Sequence, residues 1–231
     1  MKVQVIMPTA GLGKRFKAAQ PKALVLLNKK PVFIHTLEIF EKHSAVDSVI
    51  VVGHPDYLAD FSRWIRKFRL KKVAAVVPGG KTRQRSVYNG LKFLDNDTQV
   101  VLVHDGVRPL VSRDVINRGL SALKRADAVT TAVPVKPTIK EINPKTGLVK
   151  KTLKRETLVD VQTPQIFRRE ILVKAHQKFF HKEVTDDAML AELMKVPVKV
   201  VAGDYKNIKI TTPEDRLIAR EFMKKNRGGL R

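Results

Sequence analysis

At 231 residues, with 43% hydrophobic and 29% charged side chains, the chain has an ordinary globular composition and can bury a substantial core. Its 45 Lys and Arg against 22 Asp and Glu leave a net charge of +23, which points to anionic partners: nucleic acid, an anionic membrane surface or anionic small molecules. Zero cysteines exclude disulfides, thiolate metal sites and a cysteine nucleophile, and no apolar run approaches the roughly 18 residues of a membrane helix.

The first element, Val3–Met7, reads as a buried strand. A chain that enters a strand so early is expected to carry no signal peptide, which with the lack of cysteine fits a cytoplasmic location. The strand runs into Pro8-Thr-Ala-Gly-Leu-Gly-Lys-Arg15, followed by Pro21-Lys22. A strand ending in a glycine turn with fixed cations suits a polyphosphate. Gly11 and Gly13 let the backbone approach an anion closely, and Lys14, Arg15 and Lys22 supply charge. The Walker pattern is absent, since Arg15 follows Gly13-Lys14, and Phe16 breaks the dinucleotide fingerprint.

Apolar runs and amphipathic segments then alternate. Helix Val32–Lys42 precedes strand Val49–Val52; helix Asp56–Phe68 precedes strand Val73–Val77. Helix Arg83–Leu94, strand Val100–His104, helix Arg113–Lys124 and strand Ala128–Val133 continue the series. Short Val/Ile runs separated by helices imply a mostly parallel sheet covered on both faces, the α/β, Rossmann-like doubly wound class, with ligands at the carboxyl ends of the strands. The rhythm breaks between about Pro134 and Asp160. Two short strands around Asn143-Pro-Lys-Thr-Gly147 read as an inserted hairpin, either a lid or dimerisation arm or a plain surface excursion. Helices near Arg168–Phe180 and Asp186–Met194, a strand Val198–Ala202, a strand ending at Asn207–Thr211 and a last helix Pro213–Lys225 complete one domain, residues 1–231.

Residues with chemical potential fall at strand ends. Gly79-Gly80 opens the third helix and suits contact with a base or sugar; Ser86 either bonds a ligand or caps that helix. In His104-Asp105-Gly106-Val107-Arg108, Asp105 can hold hydroxyls and Arg108 a phosphate, or the two can form an internal ion pair, with His104 a packed strand-end residue. Gln162-Thr-Pro-Gln-Ile-Phe167 reads as a polar turn between arm and helix, in which Thr163 donates to a phosphate or merely starts the turn. Thr185-Asp186-Asp187 reads as a helix cap; a metal reading is weaker, because adjacent helical carboxylates point apart. Lys209, alternating with Ile208 and Ile210, projects above the sheet or into water. No Ser/His/Asp triad or His-rich cluster is present. The chemistry on offer is cationic, as phosphoryl and nucleotidyl transfer require. Aromatics are only 6% and do not interleave with the basic residues, so a cationic enzyme is favoured over a nucleic-acid-binding α/β protein.

Taken as an ordered set, Pro8–Arg15, Pro21-Lys22, Gly79-Gly-x-x-Arg-x-x-Ser86-Val, Val103-His-Asp-x-x-Arg-Pro109, Pro134-Val-Lys-x-Thr-Ile-Lys140, Gln162-Thr-Pro-Gln165, Thr185-Asp186 and Asn207-Ile-Lys-Ile-Thr211 resemble the 2-C-methyl-D-erythritol 4-phosphate cytidylyltransferase family of the non-mevalonate isoprenoid pathway. The sister D-ribitol-5-phosphate cytidylyltransferases have similar loops; the Pro134–Lys140 segment favours the first. The resemblance implies CTP on Ala10, Gly11, Gly13, Gly80, Arg83, Ser86 and Gly106. It implies catalytic cations at Arg15, Lys22, Arg155 and Lys209, with the methylerythritol phosphate held by Asp105, Arg108, Thr163, Lys209 and Thr185. Magnesium would be held mainly by the CTP phosphates. A homodimer would exchange arms, about 135–157, and so bring in the partner's Thr138 and Arg155. Departures from the family pattern include Thr9 for a common Ala, which would add a hydroxyl near the nucleotide, and Gly106-Val107 for Ala-Ala. Ala23, Lys81 and Pro137 depart as well.

Overall fold

The computed structural model describes residues 1–12 and 20–228, with only the backbone described in 225–228. Seven strands form one sheet in the order β11-β7-β10-β6-β1-β4-β5. They are β1 (Val3–Pro8), β4 (Ser48–Gly53), β5 (Val73–Pro78), β6 (Val100–Val103), β7 (Ala128–Pro134), β10 (Val159–Arg168) and β11 (Val198–Ala202). β10 runs antiparallel to β6 and β7; the other neighbours pair in parallel. Two two-stranded pieces stand apart: β2 (Leu26–Leu27) with β3 (Lys30–Pro31), and β8 (Lys140–Ile142) with β9 (Val149–Thr152). The second is the expected hairpin.

Strand alternation divides the core. Val5 and Met7 of β1 face one side, with α1 (Val32–Glu41), α2 (Leu58–Lys67), α4 (Arg113–Ala122) and α7 (Pro213–Gly228). Ile6 faces the other, with α3 (Arg83–Leu91), α5 (Arg169–Lys178) and α6 (Asp187–Leu193). The sheet is therefore buried on both faces, and Phe33 of α1 meets Phe61 of α2 edge-on at 4.8 Å. Among the described residues no helix is long and apolar enough to cross a membrane.

The structure corrects two expectations. Gln162–Phe167 is no turn but the buried half of β10, a central strand. Its polar side chains are satisfied inside the fold, and Pro164 sits where the β10–β7 register shifts, the position at which a strand can spare an N–H. Asn207–Thr211 is not a strand. It is an extended loop anchored by Ile210, fully buried, whose N–H donates to Val107 C=O at 2.9 Å.

From β1 the chain builds outward through β4 and β5, then crosses back to place β6 on the other side of β1. That reversal makes a topological switch point, where the carboxyl ends of neighbouring strands splay to leave a crevice.

Candidate active site

The crevice is a cleft of about 450 Å³ at the ends of β1, β5 and β6. Its lining includes Ala10 and Gly11 after β1, Gly80, Arg83 and Ser86 at the start of α3, Asp105 after β6, and Lys22 and Lys209. Four of the lining residues carry positive charge, Lys22, Lys81, Arg83 and Lys209, against one carboxylate, Asp105. Such a balance attracts a polyanion.

The start of α3 is shaped by Thr82, whose hydroxyl caps the helix by accepting from Arg85 N–H at 3.1 Å. Ser86 is therefore not the N-cap. It is buried, accepts from Gly80 N–H at 3.1 Å and donates to Thr82 C=O at 2.9 Å, fixing the turn at the cleft edge. A side chain at Gly79 would collide with the Ala10 methyl, so the loop after β1 packs its Ala10 side chain directly against the Gly79 backbone after β5.

Asp105 is the electrostatic centre. Its carboxylate accepts from Arg83 Nε at 3.1 Å and pairs with Lys209 Nζ at 2.7 Å, with Arg108 Nε at 3.8 Å. Burial would raise its pKa, but Arg83, Lys209 and Arg108 outweigh that and hold the carboxyl well below the usual range. Both readings of the Asp105–Arg108 motif meet here: the residues are internal partners, and Asp105 still lines the cleft. Arg108 also donates through Nη1 to Asn207 C=O at 2.7 Å.

His104 is packed, as expected. It is fully buried, edge-on to Phe40 at 5.1 Å, and burial pushes it down to about 4. Its Nε2 lies 3.2 Å from Arg108 C=O, which only a protonated nitrogen can satisfy, so Nδ1 accepts from the Thr163 hydroxyl at 3.1 Å. Thr163 in turn accepts from Asp105 N–H at 3.1 Å. This chain fixes Asp105 from behind and places the Thr163 hydroxyl among protein partners, buried under the site.

Asn207, also fully buried, donates to Gln162 Oε1 at 3.3 Å and to Thr163 C=O at 2.8 Å. It thereby ties the Lys209 loop to β10. Thr9 departs from expectation: its hydroxyl turns into the sheet and donates to Val52 C=O at 2.8 Å. Its methyl occupies the space that a side chain at Gly106 would need, so these two departures from the family pattern interlock.

Other expected residues lie elsewhere. Thr185 is exposed, with its hydroxyl 3.9 Å from Met189 Sδ. Thr138 and Arg155 are exposed on the hairpin and its exit, and Arg155 Nη1 donates to Lys136 C=O at 2.9 Å. Gly13, Lys14 and Arg15 fall outside the described residues. Asp186 caps α6 through Met189 N–H at 2.9 Å, while Asp187 turns away toward Arg83. Among the described residues no group of three or more His, Cys, Asp or Glu could hold a metal. Sequence reasoning missed His54, which lines the cleft, and the tie between Arg83 and Asp187. A pairing across 104 positions leaves no local spacing signal.

A cationic cleft at the switch point of a doubly wound sheet, walled by a glycine turn and a helix start, defines a phosphate- and nucleotide-binding α/β protein. Comparison with known proteins gives the rest. The model of the 2-C-methyl-D-erythritol 4-phosphate cytidylyltransferase family matches residues 3–225. The enzyme of that name from Pelotomaculum thermopropionicum is 46% identical over 99% of this chain and 97% of its own. That from Alkaliphilus metalliredigens is 44% identical over 99% and 95%. Among solved structures, 4-diphosphocytidyl-2C-methyl-D-erythritol synthase from Anaerococcus prevotii superposes with a TM-score of 0.84 at 32% identity, covering 96% of each chain. The chain belongs to the 2-C-methyl-D-erythritol 4-phosphate cytidylyltransferase family.

Proposed function

We propose that this chain transfers CMP from CTP to 2-C-methyl-D-erythritol 4-phosphate, giving 4-diphosphocytidyl-2-C-methyl-D-erythritol and pyrophosphate in isoprenoid precursor synthesis. The observation that carries the reading is the cleft itself: one buried aspartate, its carboxyl held below the usual range by the cations that ring it, in a chain of this family.

The chemistry follows from the residues. A phosphate oxygen of the acceptor attacks the α-phosphorus of CTP in line; that P–O bond forms as the bond to pyrophosphate breaks. Lys22 and Arg15 stabilise charge growing on the α-phosphate and the leaving pyrophosphate. Gly80 and Ser86 hold the rim of the nucleotide pocket, and Arg83 meets CTP from the head of α3. Asp105, with Lys209 and Arg108 beside it, accepts from acceptor hydroxyls while the cations face its phosphate. A bound magnesium ion would neutralise the triphosphate. Asp105, the cleft carboxylate, is already engaged by three cations, so the oxygens of CTP would supply most of its ligands.

The hairpin supports a homodimer. A lone two-stranded hairpin is marginal in water, yet this one exposes Ile142, Leu148 and Val149, and β10 beside it exposes Val159 and Val161. An exchanged arm would cover these residues and carry Thr138 and Arg155 to the partner's cleft. We place the enzyme in the cytoplasm.

The test is pyrophosphate release from CTP and magnesium, with methylerythritol phosphate and ribitol phosphate as parallel acceptors. Selective turnover of the former is expected. Turnover of the latter alone would keep the mechanism and change the pathway; silence with both would overturn the reading. CTP, but not ATP, is expected to raise the melting temperature.

A further inference from the structure

Behind the cleft lies a second carboxylate that touches no cleft space. Asp187, at the first turn of α6, is 1% exposed. Its Oδ2 accepts from Arg83 Nη1 at 2.6 Å, and its Oδ1 lies 3.0 Å from Nε2 of His176, which is fully buried. Arg83 then donates through Nε to Asp105, and Asp105 meets Lys209. The row His176, Asp187, Arg83, Asp105, Lys209 runs from the core to the cleft: His176 and Asp187 are buried, and Lys209 at the far end is 36% exposed.

Local folding does not require a charge at position 187. Helix α6 is already capped by Asp186, and Gln165 Oε1 takes the N–H groups of Asp187 and Ala188 at 3.0 and 3.1 Å. Desolvating a carboxylate is expensive, and it is repaid only by well-placed partners. Here burial would raise the Asp187 carboxyl, and Arg83 and His176 reverse that. His176 is itself braced, stacking on Tyr88 of α3 at 6.3 Å.

The geometric effect falls on Arg83. Its guanidinium is a planar fork able to grip one carboxylate with two nitrogens. Asp187 holds Nη1 while Asp105 Oδ1 takes Nε, so the two carboxylates grip the guanidinium from different edges and fix its plane, and Asp105 Oδ2 faces Lys209 at 2.7 Å with Arg108 at 3.8 Å. We infer that Asp187, supported by His176, is a positioning residue for the transfer reaction: it sets the orientation of Arg83 and, through it, the two-sided presentation of the Asp105 carboxylate. The inference rests on the function proposed above, in which Arg83 meets CTP and Asp105 meets the acceptor.

A double-mutant cycle tests it. Asp187→Asn is expected to lower kcat/KM at least about tenfold, and Arg83→Gln by a similar or larger factor. Adding Asp187→Asn to Arg83→Gln should cost less than about twofold more, because the residue acts through Arg83. Independent, multiplying losses would overturn the inference, as would a folded Asp187→Asn enzyme with unchanged kinetics. A purely structural role would lower the melting temperature by the same amount in both backgrounds and leave kcat/KM untouched. If Asp187→Asn does not fold, His176→Asn gives a gentler version: a two- to fivefold loss that disappears in Arg83→Gln. Should the wild type turn over neither acceptor, the functional reading falls. The inference is then decided by the CTP-induced rise in melting temperature, which Asp187→Asn must reduce in the wild-type background and not in Arg83→Gln.

Discussion

The cleft and the hairpin arm are built on opposite terms. In the cleft, Asp105, Arg83, Arg108 and Lys209 are held by one another and by buried groups behind them, His104, Thr163, Asn207 and Asp187. On the arm, Thr138 and Arg155 are exposed, and the Arg155 guanidinium donates to the nearby Lys136 C=O. A catalytic site gains from groups fixed before substrate arrives, because they need not reorganise as charge develops. The described charged groups of the cleft meet that condition within one chain. The arm meets it only once something covers its apolar side.

The sharpest way to test the cleft half is to remove a cation. Lys22→Ala is expected to lower turnover at least about 100-fold, the scale of losing one oxyanion donor, with the melting temperature nearly unchanged. Near-normal turnover would place the charge stabilisation elsewhere.

Preorganisation also has a pH signature. His104 is held neutral down to about 4, whereas an exposed imidazole titrates near 6.5. Between these values the unfolded chain binds more protons than the folded one, so stability rises with pH across the window and is lost on acidification from about 6.5 to 4. The loss is on the order of 3 kcal/mol. His43, also pushed down by burial, adds the same sign in wild type and variant and so cancels between them. Asp105 and Asp187, held below the ordinary carboxylate range, lose their contribution only below about 3.9. Urea unfolding at several pH values should therefore show a shallower acid decline for His104→Gln; parallel slopes would mean that His104 charges freely.

A third effect is smaller. Gly106→Ala would drive a methyl into that of Thr9 and within 3.1 Å of Met7 Cγ, at a cost of about 1–3 kcal/mol. Adding Thr9→Ala should restore most of it. Failure of the pair to couple in unfolding experiments would break the claim that the two positions interlock.

What could be read before the structure divides along the same line. Gly80, Ser86, Asp105 and Lys209 were legible because a parallel sheet sends its strand ends to one edge, so motifs distant in sequence converge. The arm was legible as a hairpin through its Asn-Pro-Lys-Thr-Gly turn, but a turn signal does not say what covers it. β10 escaped because Gln162, Thr163, Pro164 and Gln165 look like loop; their burial is licensed by partners on α6, His104 and the Asp204 loop, which sequence does not place. Lys209 reaches the cleft without the strand expected to carry it, since Ile210 and Asn207 pin an irregular segment just as well.

The arm half is tested by sharing. Arg155→Ala is expected to lower turnover about tenfold, less than any cleft cation, because it trims a pocket that is otherwise assembled. Its value lies in what happens on mixing with Lys22→Ala. If arms are exchanged, each heterodimer holds one cleft with Lys22 intact and the partner's Arg155 above it, and one cleft lacking both. Equal mixing then regenerates roughly a quarter of the wild-type sites, against about a twentieth of wild-type turnover if subunits never share. A several-fold rise on mixing would show that the exposed arm is half of a site completed by a second copy. No rise, with subunit exchange verified by a labelled partner, would mean that each arm folds back on its own cleft, and the contrast between a finished cleft and an unfinished arm would hold only for the isolated chain.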